Sequence, residues 1–314
     1  MRRKNRELPP DPAQPPLVRS RLDHYQTLCS ASKQQGANCP PPHACARGVA
    51  PRRAAPYPGD FLSGGGLREE LLARPTPLLR FRGALLKLES MRPSGEPDDR
   101  ALSLFPALPR GVSASFAGAA GAAIAAAGWA RTHAVSLFVA LHGVATHETR
   151  ETLRLFGAEV ELCSSAAEAL ARAAARRDTV LPALDGDAAA IAIERTLGPE
   201  LVRDAGDVRA VIAPAGARAA LVAALRALPG SRGIALVAAD DELPGLPREM
   251  DLPGSVERRP VPRALCARAR TGLARETGVL ASHASAAAAF LAAAEGGLAL
   301  ISSGEREFSL EALS

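Results

Sequence analysis

The sequence predicts an α/β protein of mostly parallel strands with helices on both faces. Short apolar runs rich in Val, Leu and Ile alternate with helical segments along most of the chain, and this alternation is typical of parallel sheets whose strands are joined by helices. The chain has 314 residues, 47% of them hydrophobic, which accommodates either one large α/β unit or two lobes. The alanine-rich segment 117–130 is more typical of a buried helix than of a membrane span, so we expect no membrane association.

The first 62 residues differ in composition from the rest. They hold eleven of the 26 prolines and little hydrophobic periodicity, so we expect a disordered tail rich in Pro and Arg. Residues 1–60 carry ten Lys or Arg and four Asp or Glu, a balance of +6 within a total of +5, so the remainder is close to −1. A nucleic-acid-binding face on the folded part is therefore not supported.

The cysteines indicate a reducing compartment. No apolar stretch follows the basic start of the chain, so we expect no secretory signal and a cytoplasmic protein with reduced thiols. Three of the five cysteines lie in the tail with His43, partly within NCPPPHAC at 38–45. This spacing fits no zinc finger well, and we expect no metal site.

The elements are predicted in order from apolar runs and stop signals. A Gly-rich joint at 63–66 leads into the first helix, and Gly157 is a typical stop for a helix that begins at His147. Strands are predicted at 85–89, 134–140, 158–162, 209–213, 234–238 and 297–302. Helices are predicted at 67–72, 117–128, 147–156, 165–177, 187–197, 217–228, 262–276 and 284–295, with a short one in the apolar run 101–108.

The stretch 85–100, LLKLESMRPSGEPDDR, is the one around which the chain is organised. A buried strand ends in a break formed by two prolines, Ser94 and Gly95, and a helix start follows. Such a frame is common in active sites because backbone N–H groups converge there. The same pattern is also that of an ordinary strand–loop–helix joint.

Together with PTPLLRF at 75–81, the motifs LLKLES and PSGxxxDR resemble the start of the fold-type-II pyridoxal-phosphate enzymes, the tryptophan-synthase-β-like superfamily, with cysteine synthase and cystathionine β-synthase nearest. Further segments resembling this family are LRLFGAEVEL at 153–162, ERTLGPEL at 194–201, VIAPAGARAALVAALRAL at 211–228 and GVLASHASAAAAFLAAA at 278–294. The resemblance covers about residues 74–302. It implies a two-lobed, three-layer α/β/α fold, with a larger lobe from 66–97 and 181–314 and a smaller lobe from 98–180.

The resemblance also offers a second interpretation of the tail. Cystathionine β-synthases can carry a haem on a Cys and a His of an N-terminal extension. Cys29 or Cys39 with His43 invites that comparison, beside the interpretation as a plain disordered tail.

The residue at the most informative family position is Asp98. In this family the residue before Asp-Arg is the lysine that forms a Schiff base with pyridoxal phosphate, and a carboxylate cannot form an imine with an aldehyde. The chain contains only three lysines, of which Lys4 and Lys33 lie in the tail. For the third, Lys87, we consider two roles: a relocated catalytic lysine, or a strand lysine paired with a carboxylate.

The resemblance implies a second contact, between an Asn in a Ser-Gly-Asn-x-Gly turn and the phenolic oxygen of the cofactor ring. Counting back from Gly128 places this Asn at Ser115, with Ala114 and Ala117 in place of the flanking glycines. Serine can donate a hydrogen bond, but its reach is shorter.

The third and fourth implied contacts hold the phosphate and the pyridine nitrogen. In the phosphate loop only Gly216 remains of the glycines, while Arg218 binds a phosphate, fills the phosphate pocket or is exposed on the following helix. A Ser facing the pyridine nitrogen corresponds to Ser285, or to Ser282 after a shift of register. The alternative for such a serine is a helix N-cap.

No other catalytic set is indicated. His133, His142 and His147 are close in sequence, but no nucleophile motif accompanies them. The acidic run 240–242 is interpreted as a loop after a strand.

These departures predict a pseudoenzyme, which acts by binding or regulation and carries no cofactor. The alternative is a divergent pyridoxal-phosphate-dependent lyase or transferase of cysteine, serine or threonine metabolism, in which that cofactor is retained. By analogy with the superfamily we expect a homodimer or a heteromer with an active relative, and a small amino-acid-like ligand.

Overall fold

The computed structural model describes residues 74–109, 111–240, 247–248 and 251–302. The predictions for the tail 1–62, for the joint and helix at 63–72 and for residues 241–242 lie outside these ranges. The strands are β1 (Leu78–Phe81), β2 (Ala84–Leu88), β3 (Ser113–Gly118), β4 (Ser136–Leu141), β5 (Glu159–Leu162), β6 (Thr179–Val180), β7 (Ala210–Pro214), β8 (Arg232–Ala238), β9 (Val256–Val261) and β10 (Leu298–Ile301).

The helices carry most of the connections between these strands. They are α1 (Asp98–Leu102), α2 (Ala120–Thr132), α3 (His147–Leu155), α4 (Ala166–Ala175), α5 (Asp187–Asp204), α6 (Arg218–Ala227), α7 (Arg263–Thr277) and α8 (His283–Glu295). Two 3-10 turns, Glu89–Met91 and Ala215–Ala217, follow β2 and β7. Among the described residues, no helix combines the length and the apolar composition that a membrane crossing requires.

A six-stranded sheet has the order β1-β2-β10-β7-β8-β9, and only the β1–β2 pair is antiparallel. Alternate residues of its central strands pack on opposite faces, as strand geometry requires. Val211 and Ala213 of β7 contribute to the core that contains α5 and α6. Ala210 and Ile212 contribute to the core that contains α7 and α8. The sheet is therefore the middle of three layers.

A four-stranded parallel sheet has the order β5-β4-β3-β6. Leu137 and Val139 of β4 share a core with α2, while Phe138 and Ala140 pack with Ala169 and Ala173 of α4 on the other face. This sheet too has helices on both sides. The predicted α/β/α architecture with mostly parallel sheets is confirmed.

The two sheets draw on different parts of the chain. The larger sheet takes its strands from 78–88 and 210–301, and the smaller sheet takes its strands from 113–180. The exact lobe boundaries remain a prediction.

Four strands are absent from the sequence-based prediction: the edge strands β1, β6 and β9, and β3 inside the smaller sheet. In β9 only the terminal Val256 and Val261 are buried, and the four residues between them, three of which are charged, are partly or fully exposed. β6 has only two residues, both exposed. The prediction depends on apolar runs, which are typical of strands buried on both faces. Short or polar edge strands such as β6 and β9 lack such a run and were therefore not predicted.

Candidate functional site

The turn between β2 and α1 is held by its own hydrogen bonds. Gly95 adopts a φ of +80°, in the left-handed region that favours glycine, and its N–H donates to the carbonyl of Arg92 at 2.9 Å. The Asp99 carboxylate accepts from the Ser94 N–H at 2.7 Å and from the Ser94 hydroxyl at 2.8 Å. These bonds fix the first turn of α1, where Asp98 lies.

A buried ionic cluster anchors α1 to the rest of the fold. Arg100 contacts Glu89 through Nε at 2.7 Å and Glu200 through Nη1 at 2.8 Å, so it bridges β2's 3-10 turn and α5. Burial raises the pKa of Glu89, but the hydrogen bond and charge of Arg100 outweigh burial and hold that pKa below its usual value. The same balance lowers the pKa of Glu200, which Lys87 also helps to stabilise as an anion. Glu89 and Glu200 are therefore both carboxylates at neutral pH.

Lys87 belongs to this cluster rather than to the open part of the site. Its Nζ donates to the carbonyl of Thr76 at 2.6 Å and pairs with Glu200 at 2.5 Å, and the side chain is 0% exposed. An amine must be accessible to attack an aldehyde. The Lys87 amine is fully buried and held by Thr76 and Glu200, so the structure agrees with the interpretation as a strand lysine paired with a carboxylate.

Asp98 is the buried acid that has no partner. The residue is 9% exposed, and none of the hydrogen bonds or ion pairs found among the described residues involves its carboxyl group. Burial raises its pKa to about 8, with further contributions from the charges of Asp99 and Asp185. The side chain is therefore largely a neutral carboxylic acid at neutral pH.

The prediction for Ser115 is wrong. Ser115 lies in the middle of β3, and its hydroxyl donates to the carbonyl of Ala173 in α4 at 3.0 Å. It is fully buried between sheet and helix and does not belong to a turn. Counting back from Gly128 placed the turn about four residues too early in the sequence.

The strand-to-helix turn after β3 is instead Ala117–Gly121, reading Ala-Gly-Ala-Ala-Gly. Space is restricted at both glycines: a Cβ on Gly118 would lie 2.5 Å from the Phe116 ring, which would have to move, and one on Gly121 would lie 3.1 Å from Cδ of the Glu96 side chain, a tight contact. The glycine spacing is that of the Ser-Gly-Asn-x-Gly turn. In this register Ala119 takes the Asn position, and its methyl group cannot donate a hydrogen bond. The Gly-x-x-Gly spacing was the sequence signal that could have located the turn.

Gly216 and Arg218 lie where β7 ends and α6 begins, as predicted. Nη1 of Arg218 donates to the main-chain carbonyl of Asp185 at 2.5 Å, and Nη2 lies 3.7 Å from the Asp187 carboxylate. The side chain is 16% exposed, and its Nε is buried with no hydrogen-bond partner among the described residues. Arg218 is thus folded over the loop before α5, and of the three predicted roles the solvent-exposed one is excluded.

Ser285 and Ser282 have different roles. The Ser282 hydroxyl accepts from the N–H of Ser285 and caps α8. The Ser285 hydroxyl is fully buried, accepts from the Ser302 N–H at 3.1 Å and lies 3.1 Å from the Ser302 hydroxyl. Ser285 therefore reaches the carboxyl end of β10, where the described part of the chain stops.

Asp185, which the sequence analysis did not single out, connects these positions. Its charge acts on Asp98 and on His142, and its carbonyl accepts from Arg218. Burial lowers the pKa of His142, and Asp185 opposes this effect. Asp185 stands in the loop between β6 and α5, a position to which no apolar periodicity or motif points.

Two other candidates are separate from this set. His133 is held in α2, with Nδ1 at 2.8 Å from the Trp129 carbonyl and its ring stacked on Trp129. A cavity of about 370 Å³ has an apolar lining except for Arg195, and none of the predicted site residues lines it. Within the described ranges no group of three or more His, Cys, Asp or Glu has a geometry suited to a metal ion.

Three solved structures with a similar fold are described as synthases. O-ureido-L-serine synthase shares 20% identity at a TM-score of 0.64, covering 76% of this chain and 92% of that one. A lysine-to-alanine mutant of that enzyme, bound to O-ureido-L-serine, matches equally well with 90% of its chain covered. The O-acetylserine-dependent cystathionine β-synthase of Helicobacter pylori shares 20% identity at a TM-score of 0.62, with 77% and 96% covered. At this identity the likeness establishes the fold.

The sequence itself matches a family described as pyridoxal-phosphate dependent enzyme over residues 70–250, more than half of the chain. No curated protein sequence matches it significantly. The family match corrects the expectation that the protein carries no cofactor, because pyridoxal phosphate is the cofactor to be expected of this family. The chain belongs to the family of pyridoxal-phosphate-dependent enzymes.

Proposed function

We propose that this chain is a non-catalytic member of its family, a pseudoenzyme that holds its cofactor and ligand without covalent attachment. The observation that carries the proposal is Asp98 at the position of the Schiff-base lysine. The residues present do not fit the covalently bound form of pyridoxal phosphate, because a carboxyl group cannot condense with an aldehyde. No reaction step through that linkage is available to this chain.

The contacts of Lys87 support the same conclusion. To act as a substitute, Lys87 would have to leave the carbonyl of Thr76 and the carboxylate of Glu200, each within 2.6 Å of its Nζ. Its departure would leave a buried carboxylate with one cation fewer, which is costly in a region of low dielectric. The lysine is therefore committed to the fold.

The remaining contacts are suited to non-covalent binding. α6 has ten residues and begins directly after the 3-10 turn that follows β7, and the free N–H groups at the start of a helix attract anions such as a phosphate. Ala217, Arg218 and Ala219 carry side chains where the family has glycines, so the backbone cannot approach a phosphate as closely. Arg218 supplies a guanidinium in compensation.

The structural neighbours suggest the class of ligand. One is an O-ureido-L-serine synthase, whose lysine-to-alanine mutant is bound to O-ureido-L-serine, and another is an O-acetylserine-dependent cystathionine β-synthase. We propose a small amino-acid-like ligand for this chain on that analogy. Assembly as a homodimer, or with an active relative, is proposed on the same ground.

The test is borohydride reduction of the purified protein with pyridoxal phosphate, followed by mass spectrometry of its peptides. We expect no pyridoxyl group on Lys87 and no absorbance band of a protein-bound imine. Asp98→Lys is the matched control, in which an adduct on the introduced lysine shows that the cleft admits the cofactor. A stable adduct on Lys87 of the unmodified protein would overturn the proposal and favour the divergent lyase or transferase.

A further inference from the structure

We infer that the cleft prefers the amine form of the cofactor, pyridoxamine 5′-phosphate, over the aldehyde form, with Asp98 accepting hydrogen bonds from the ligand's ammonium group. This inference rests on the proposed function, since it requires that no lysine occupies the aldehyde. It assigns to Asp98 a binding role where the family has a covalent one.

The first argument is the isolation of Asp98. The Asp98 residue is nine-tenths buried, and none of the hydrogen bonds found among the described residues involves its carboxyl group. Its neighbour Asp99 is satisfied by Ser94, so the turn itself does not need the Asp98 side chain. The Asp98 oxygens are not among the fully enclosed atoms that lack a partner, so they are open to a donor supplied from outside the chain.

The second argument is charge. Glu96 packs against the start of α2, and Asp99 and Asp185 both raise the cost of a negative charge at Asp98. Acidic groups thus approach Asp98 from its own turn and from the loop before α5. Such surroundings repel an anion and favour a cation beside Asp98. An aldehyde offers neither a positive charge nor a hydrogen-bond donor, whereas an ammonium offers both.

The third argument is length. An Asp side chain is two bonds shorter than a Lys side chain, or about 2.5 Å along an extended chain of single bonds near 1.5 Å. A charge-assisted hydrogen bond between an ammonium and a carboxylate spans about 2.8 Å. A ligand nitrogen at the place where the lysine nitrogen would stand is therefore within hydrogen-bonding distance of Asp98.

The other end of the ligand is an anion, and the opposite side of the site provides for it. The N–H groups at the start of α6 and the unpartnered Nε of Arg218 are donors. Asp185 links the two ends, because its charge acts on Asp98 and its main-chain carbonyl accepts from Arg218. An acceptor for an ammonium and a donor for a phosphate thus have Asp185 as a common neighbour, as a ligand such as pyridoxamine 5′-phosphate would require.

The test is isothermal titration of the full chain with three ligands that differ at one substituent, at pH 9, where an acid with a pKa of about 8 is largely a carboxylate. Pyridoxamine 5′-phosphate carries an ammonium, pyridoxine 5′-phosphate a neutral hydroxyl and pyridoxal phosphate an aldehyde. We expect the ammonium ligand to bind about tenfold tighter than the other two, the worth of one charge-assisted hydrogen bond. Equal affinities, or no binding of any of the three, would overturn the inference.

Two variants assign the preference to one residue. Asp98→Asn should abolish the preference for the ammonium ligand and change the affinity for pyridoxine 5′-phosphate by less than about twofold. Asp207→Asn, an exposed position before β7, is the matched control and should retain the preference. A preference that persists in folded Asp98→Asn would also refute the inference.

The two proposals fail in distinguishable ways. A pyridoxyl adduct on Lys87 contradicts the proposed function, whereas equal binding of the three ligands without any adduct contradicts only the preference for the amine. The comparison of ligands on the unmodified protein does not depend on the folding of a variant.

Discussion

Replacing Lys87 by Met separates a structural lysine from a relocated catalytic one. The side chain is 0% exposed and makes both an ion pair with Glu200 and a hydrogen bond to the Thr76 carbonyl. Removing one member of a buried ion pair typically costs about 3–5 kcal/mol. Since Arg100 still contacts both oxygens of Glu200, we expect the lower end, about 3 kcal/mol of lost unfolding free energy.

Urea denaturation followed by circular dichroism measures this loss, provided that the slope of the transition is unchanged. Arg154→Met is the matched control, because Arg154 pairs with Glu151 in an exposed pair on α3. Exposed pairs of this kind contribute about 0.5 kcal/mol or less. The difference between the two variants isolates the effect of burial.

A loss below about 1 kcal/mol in Lys87→Met would refute the reasoning, because an amine with so little stabilising effect would not be held in the ionic cluster. Such a result would also weaken the argument that Lys87 is unavailable to an aldehyde.

Three further predictions concern the site and the assembly. The Asp98→Lys variant alone should bind pyridoxal phosphate weakly in a spectrophotometric titration. Adding Ala217→Gly, Arg218→Gly and Ala219→Gly should increase the affinity, and an unchanged affinity would show that this loop does not limit cofactor binding. Because the pKa of Asp98 is raised from 3.8 to about 8 on folding, the folded state binds more protons between these values, so the unfolding free energy should fall as the pH rises from about 4 to 8. The Asp98→Asn variant should remove this decline. If urea titrations at several pH values show that the unfolding free energy falls equally with pH in both proteins, the decline does not come from Asp98. Light scattering should give the mass of a dimer, and the mass of one chain, unchanged by an active relative, would count against the proposed assembly.

The features that the sequence determined are those set by local chemistry. Alternating apolar runs predict central strands and helices, because burial on both faces selects such runs whatever the tertiary context. Gly157, with a φ of +84°, ends the segment of α3 as predicted, and Ser282 caps α8. Residue 98 is an aspartate, so its side chain carries a carboxyl group and no amine whatever the fold.

The position of the turn after β3 could not be predicted in this way. The N-cap of α2 is Ala119, which makes no side-chain capping bond, and Ala120 after it carries no start signal. Helix and strand propensities therefore left the boundary open, and the count from Gly128 put Ser115 in a turn. Packing favours glycine at the boundary, because a Cβ on Gly118 would lie 2.5 Å from the Phe116 ring.

Only the tertiary structure shows which residues that are distant in sequence lie close to each other. Lys87 meets Glu200 across the fold, and Asp98 lies near Asp185 of the loop before α5. A sequence shows that Lys87 and Asp98 are ionisable, but the charge state depends on burial and on neighbours that only folding brings together. For this reason the sequence shows a carboxylate at the position that the resemblance assigns to the Schiff-base lysine, whereas the structure shows that Lys87 is held by Thr76 and Glu200 and that no hydrogen bond found among the described residues involves the Asp98 carboxyl group.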